Sequence, residues 1–271
     1  RVIAYNSDQF PKKLEAIRKG GKKPSLIMAE TGEMEAFWVA QEIKGLWGNG
    51  VSLEDIAVIY RIHSHSLDLQ IALQQAGVPF VLRSGLRFFE QAHIKDLLAW
   101  LRIVHNNKDI LAWQRILSLL EGIGNTTIRK IINRLEEKDF SWKALRSPVW
   151  LKKLSAKARK SLEWLVHHLE EALLPENKDN PSLLMQNFYD QEYEDYLVHS
   201  HEDASKRSDD VVAFIGFALR YKNLSSFLSE MILQTELEGI PSEKEKQEEE
   251  LLVLSTVHQA KGLEWKYVFC L

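Results

Sequence analysis

A single cysteine, Cys270, stands in 271 residues, so no disulfide can form within the chain; that scarcity suits a reducing, cytoplasmic setting. No apolar run approaches the roughly 20 residues that a membrane-spanning helix needs. The opening Arg1-Val2-Ile3-Ala4-Tyr5 also lacks the long apolar stretch of a secretory signal. Nor is there an excess of one charge: 35 Lys and Arg face 38 Asp and Glu, a net charge of −3. Nucleic-acid binding, if it occurs, must therefore come from local basic patches. The nine histidines show no metal-ligand spacing, and with one cysteine a zinc site is not expected. No internal repeat is visible.

What is present reads as a soluble globular chain, 45% apolar and 27% charged, long enough for two modest cores. Ser25 to Met28 is a short apolar run, a candidate strand. Glu33 to Trp47 has helical spacing and ends at Gly48-Asn49-Gly50. Ile56 to Tyr60 is a continuous buried-strand signal, Ser64 to Gln75 is helical, and Phe80 to Leu82 starts another strand. This alternation predicts a mostly parallel sheet covered by helices.

From Ile94 to Leu237 the pattern turns helical, with runs at 94–104, 110–120, 126–137, 156–174, 183–188, 211–220 and 227–237. The charged stretch Glu243 to Glu250 reads as a solvated linker. Strands resume at Leu251 to Ser255 and at Tyr267 to Leu271. The predicted fold is α/β: a discontinuous RecA-like parallel-sheet domain, 1–91 and 247–271, around an all-helical insertion, 92–246. Both ends read as cuts in a longer protein.

The most informative stretch runs from Ser255 to Trp265, between the last two strands, where α/β proteins place ligand-binding loops. It offers a hydroxyl (Thr256), an imidazole (His258), an ammonium (Lys261), a flexible glycine (Gly262) and a carboxylate (Glu264). Such a set can hold a phosphate backbone and a sugar hydroxyl side by side. It also resembles motif V of UvrD/Rep-type superfamily 1 DNA helicases, Thr-x-His-x-Ala-Lys-Gly-Leu-Glu followed by Phe or Trp, at every fixed position. The likeness continues through Phe10-Pro11-Lys12-Lys13-Leu14, Ile56 to Arg61, Ala76 to Phe80, and Gly85-Leu86-Arg87-Phe88-Phe89-Glu90 with Ile94-Lys95-Asp96.

The resemblance implies the C-terminal half of an ATP-dependent 3′-to-5′ translocase, with ATP and Mg2+ engaged together with an N-terminal motor domain. It implies that Glu264 and Gly262 serve the nucleotide. It further implies that Thr256, His258, Lys261, Arg61, Arg87 and Lys95 serve DNA. Gln91 and His93 depart from the family, which has Arg and Glu there. The phosphate-binding loop, the acidic magnesium motif and the final arginine motif have no match, and Gly20-Gly21-Lys22-Lys23 is only a basic turn. The segment alone is therefore expected to be catalytically inactive.

A second candidate site is Glu121-Gly122-Ile123-Gly124-Asn125-Thr126-Thr127, the helix-hairpin-helix pattern of apolar-x-Gly-apolar-Gly. Its glycines permit a tight turn, and amides at the next helix start can face a phosphate. Thr126, Thr127, Arg129 and Lys130 would complete a duplex contact, and Glu121 would oppose it. Lys152, Lys153, Lys157, Arg159 and Lys160 form a further basic cluster. Trp38, Trp47, Trp100, Trp113 and Trp164 fit apolar helix faces better than base stacking. Expected partners are single-stranded and duplex DNA, the missing motor domain, and repair or replication proteins at the helical insertion. Two other readings stay open: a non-catalytic binding module on the same fold, and the helicase part of a helicase–nuclease.

Overall fold

The computed structural model describes residues 23–61, 63–83, 88–237 and 250–271. Four strands, β1 (Ile56–Tyr60), β2 (Phe80–Leu82), β3 (Leu252–Thr256) and β4 (Tyr267–Cys270), form one sheet in the order β2-β3-β1-β4. All pairings are parallel; Val58 faces Leu254 on one side and Phe269 on the other. The sheet is thus assembled from two segments separated by more than half the chain, as a discontinuous α/β unit requires.

Helix α1 (Gly32–Gly48) begins where the Thr31 hydroxyl accepts a hydrogen bond from the Met34 amide, at 3.2 Å. Glu33 and Glu35 in its first turn suit the positive end of the helix dipole. Its buried face, Ala36, Val39, Ala40 and Ile43, follows the helical period. That face shares a core with Ile56, Val58, Tyr60, Leu252 and Leu254 of the sheet and with Leu69 and Leu73 of α2 (Leu67–Ala76).

Ser25 to Met28 is not a strand. The backbone there is irregular, and Leu26 and Met28 are 89% and 90% exposed. The open edges of the sheet, on β2 and β4, pair with no further strand among the described residues, and this run joins neither.

Between β2 and β3 the chain is helical: α3 (Ala92–His105), α4 (Ile110–Leu119), α5 (Asn125–Glu136), α6 (Pro148–Leu151), α7 (Ala156–Ala172), α8 (Pro181–Phe188), α9 (Glu194–Ser200), α10 (Ala204–Ala218) and α11 (Leu224–Leu237). These helices have their own core around Trp100, Trp113, Phe214 and Phe227. Both buried tryptophans satisfy their indole N–H, Trp100 on the Leu184 carbonyl (3.1 Å) and Trp113 on that of Asn107 (2.8 Å). Phe88 and Phe89, just after β2, belong to this core, so the chain enters the helical part through an aromatic anchor. No helix among the described residues is long and apolar enough to cross a membrane.

One polar tie joins the two parts, and a second braces the helical part from within. Arg220, past the end of α10, donates two hydrogen bonds to the Asp68 carboxylate in the first turn of α2, at 2.7 and 3.0 Å. His93 of α3 lies 3.3 Å from Asp210 of α10, with both side chains almost fully buried.

Candidate nucleic-acid interface

Parallel strands deliver their following loops to one edge of the sheet, and β1 and β3 are neighbours there. The Val257 amide donates to the Tyr60 carbonyl at 3.0 Å, stitching the start of the motif loop to the end of β1. Thr256 then closes a tight turn, its carbonyl accepting from the amides of Gln259 (3.1 Å) and Ala260 (3.0 Å). Gly262 follows at φ +85°, a left-handed conformation that glycine adopts without penalty. A Cβ at this position would meet nothing within 4 Å, so the glycine serves the turn and not a close approach.

This edge opens into a cleft of about 630 Å³. The loop contributes Thr256, His258 and Gln259, the end of β1 contributes Arg61, and the start of α3 contributes Gln91. The beginning of α10 supplies the rest of the lining: Asp203, Lys206, Arg207, Asp209 and Asp210. Arg207 donates to Asp203 at 2.7 Å, and this bond holds the Asp203 carboxyl below the usual carboxylate range. His93 and Asp210 pair beneath the wall; their distance suits an ion pair, although the Nε2 atom is not aligned as a hydrogen bond. The Gln91 side-chain nitrogen is buried with no hydrogen-bond partner among the described residues.

Of the residues singled out from the sequence, Arg61, Thr256 and His258 come together in this cleft. Lys261, Gly262 and Glu264 lie farther along the loop, exposed and outside the cleft lining. Lys95 is exposed on α3, also away from the lining, and Arg87 falls outside the described residues. Sequence reasoning missed the α10 wall because the helix was expected to start at Val211. It starts at Ala204, and its first two turns are polar, with no apolar stripe to announce them.

The second candidate site takes shape around Gly122, at φ +77°. A Cβ there would lie 3.0 Å from both the Ala158 amide and the Lys157 Cβ, so the close approach this glycine permits is to α7. Gly124, at the N-cap of α5, faces open space. Asn125, Thr126, Arg129 and Lys130 are exposed at the helix start, with Thr127 partly buried. Glu121 is ion-paired with Lys157, and its carbonyl accepts from Ser161 at 2.9 Å. The hairpin and the first turns of α7, two separate candidates in the sequence, therefore form one surface. On it the acid expected to repel a phosphate is already matched.

Beside the hairpin a second cleft, about 520 Å³, is lined by Leu119, Leu120, Glu121, Trp164, Glu192 and Tyr193 among others. Tyr193 sits at the end of a π-helical turn, Tyr189–Tyr193, and donates to Asp96 at 2.5 Å; Arg115 donates to the other oxygen of that carboxylate at 2.6 Å. Burial, with Asp96 alongside, pushes the Tyr193 phenol strongly upward, so it remains a donor.

Comparison with known proteins adds the family context. A model of the UvrD-like helicase C-terminal domain matches residues 1–271. The chain is 28% identical to the ATP-dependent DNA helicase srs2 of Schizosaccharomyces pombe, over 99% of its own length and 33% of that protein's. It is also 28% identical to the ATP-dependent DNA helicase PcrA of Bacillus subtilis and to DNA helicase II of Escherichia coli, each time over 99% of this chain and 38% of the relative. The chain thus spans little more than a third of the length of these relatives.

Proposed function

The chain belongs to the UvrD-like helicase C-terminal domain family, matched over residues 1–271, and from that premise we propose that it is the second motor half of an ATP-dependent DNA helicase. In this reading, 1–91 and 247–271 form the motor domain and 92–246 the helical insertion. The observation that carries the reading is the cleft where Arg61, Thr256 and His258 converge from two neighbouring strand ends. The guanidinium and imidazole suit phosphate oxygens, and the Thr256 hydroxyl suits a phosphate or sugar oxygen. Past the left-handed turn at Gly262, Glu264 leaves the cleft and accepts a hydrogen bond from the nucleotide ribose. Lys261 lies between the two sites. One short loop then touches strand and nucleotide, so closure of the two motor domains over ATP moves the strand.

Magnesium accompanies ATP in this chemistry. The helical insertion, through Gly124, Thr126, Thr127, Arg129 and Lys130, contacts the duplex ahead of the strand. The polarity we propose is 3′ to 5′, in repair or replication, on the strength of the family likeness.

Two substitutions test the division of labour in a protein that includes the ATP-binding motor domain. Glu264→Gln should weaken nucleotide several-fold, about the 1 kcal/mol between a charge-assisted and a neutral hydrogen bond. It should leave nucleotide-free single-strand affinity unchanged. His258→Ala should do the reverse. Equal losses of both ligands in both variants would overturn it. The present chain alone should show no DNA-stimulated ATP turnover, because its sequence has no phosphate-binding loop.

A further inference from the structure

We infer that the first two turns of α10 are a wall of the single-strand site, with Lys206 binding a backbone phosphate and Asp209 opposing it. The inference rests on the strand-binding reading above and extends it to residues outside the motif that identifies the family.

The argument is one of charge matching. The cleft holds three cations, Arg61, Lys206 and Arg207, and three carboxylates, Asp203, Asp209 and Asp210. Arg207 is satisfied by Asp203 at 2.7 Å, and Asp210 faces His93 at 3.3 Å below the surface. Arg61 and Lys206 make no ion pair among the described residues; both are exposed, one at the end of β1 and the other on α10. Two cations without an ion-pair partner among the described residues, one from the end of β1 and one from α10, line the same cleft and can share an anion. Asp209, exposed and without an ion-pair partner among the described residues, is the one unmatched acid.

The neutral groups specify the kind of anion. The buried, unpartnered nitrogen of Gln91, the Gln259 amide and the Thr256 hydroxyl supply donors and acceptors along the floor, which suit sugar and base edges between successive phosphates. A cleft of about 630 Å³ is pocket-sized and admits a short length of single strand, not a duplex. A strand held there touches the sheet and α10 together. Its occupancy therefore ties the helical part to the motif loop by a contact additional to the Arg220–Asp68 pair.

The test is fluorescence anisotropy of a labelled oligothymidylate with this chain, titrated at two salt concentrations. Lys206→Gln should weaken binding about three- to tenfold at low salt and reduce the log–log salt slope by about 0.7, the value of one single-strand phosphate. Asp209→Asn should tighten binding about two- to threefold, as removal of a like charge near a phosphate does; a misfolded variant cannot mimic that gain. His258→Ala is the reference for the strand-binding reading. If His258→Ala weakens binding while Lys206→Gln and Asp209→Asn leave it unchanged, α10 is not a wall and the inference is wrong, although the strand site stands. If the parent chain does not bind, or all three variants match it, both fall.

Discussion

At the sheet edge, Gly262 turns the motif loop at φ +85° with nothing within 4 Å of where a Cβ would be. In the helical part, Gly122 turns at φ +77° with α7 pressed 3.0 Å away. Both glycines meet the same backbone demand, yet only one of them is also a packing residue. A glycine in a motif thus reports a conformation, whereas its surroundings decide what approaches the bare backbone. At the strand ends the approach is left open; at the hairpin it is taken by protein. Any DNA contact at the hairpin must pass to the exposed side, at Gly124 and the start of α5.

The largest expected effect separates these glycines. Gly122→Ala adds left-handed strain of about 1–2 kcal/mol to overpacking of about 1–3 kcal/mol against a helix backbone. Gly262→Ala carries the strain alone, about 1–2 kcal/mol. Gly124→Ala, at φ −94° and in open space, loses only the N-cap preference for glycine over alanine, about 0.5–1 kcal/mol. Denaturant unfolding of the three variants measures this order. Equal losses for Gly122→Ala and Gly262→Ala would mean that α7 yields freely, and the contrast would dissolve.

A smaller effect tests the ion pair between Glu121 and Lys157, which joins hairpin to α7. Both side chains are more than half exposed, so Lys157→Ala should cost less than about 1 kcal/mol of stability. Its effect on duplex DNA should be larger in proportion. It removes a cation and bares Glu121 beside the start of α5, and a several-fold loss of affinity at low salt is expected. Adding Glu121→Gln should recover most of that loss. If Lys157→Ala leaves duplex affinity untouched, the merged hairpin–α7 surface is not where duplex binds.

Those two surfaces were unequally legible in the sequence. Ile56–Tyr60 and Phe80–Leu82 are strands at the positions their apolar runs indicate, because a strand buried between helices has little choice of residue. The apolar stripes of α3, α4 and α7 likewise put those helices within two residues of expectation. Thr256 and His258 could be found because a contiguous motif carries them. Lys206 and Arg207 could not, since they reach the cleft from some fifty residues away on turns with almost no buried side chain. The π-helical turn and α9 were missed for a related reason. Asp190, Glu192, Glu194 and Asp195 surround only Tyr189, Tyr193 and Leu197 as buried anchors, too sparse a stripe to read as a helix. The neutralisation of Glu121 depends on α7 folding back onto the hairpin, and local spacing does not encode that contact.

The smallest expected effect sets one acid from each cleft against the other. Glu192, beside the hairpin, has its carboxyl raised, chiefly by burial, with His168 and Lys160 pulling it back and Asp195 and Glu121 adding to it. Asp203, in the cleft at the sheet edge, has its carboxyl lowered, chiefly by its hydrogen bond from Arg207. The signs differ. A raised folded pKa gives stability that is present below the unfolded value and lost as pH rises through the folded one, so ionised Glu192 is a small burden at neutral pH. Glu192→Gln should then raise Tm slightly at pH 7, and the gain should vanish below the usual carboxylate range. A lowered folded pKa gives stability that is present above the unfolded value and lost as pH falls through the folded one. Asp203→Asn should therefore lower Tm slightly at pH 7, and that loss should also vanish in acid. Both side chains are exposed, and solvent screening should hold each shift within about 2 °C. Thermal melts of the two variants and the parent from pH 3 to 8 read the difference. Shifts of the same sign at pH 7 would show that the two acids sit in electrostatically equivalent clefts, contrary to the pairing of Asp203 with Arg207 and the partial desolvation of the Glu192 carboxyl beside the hairpin.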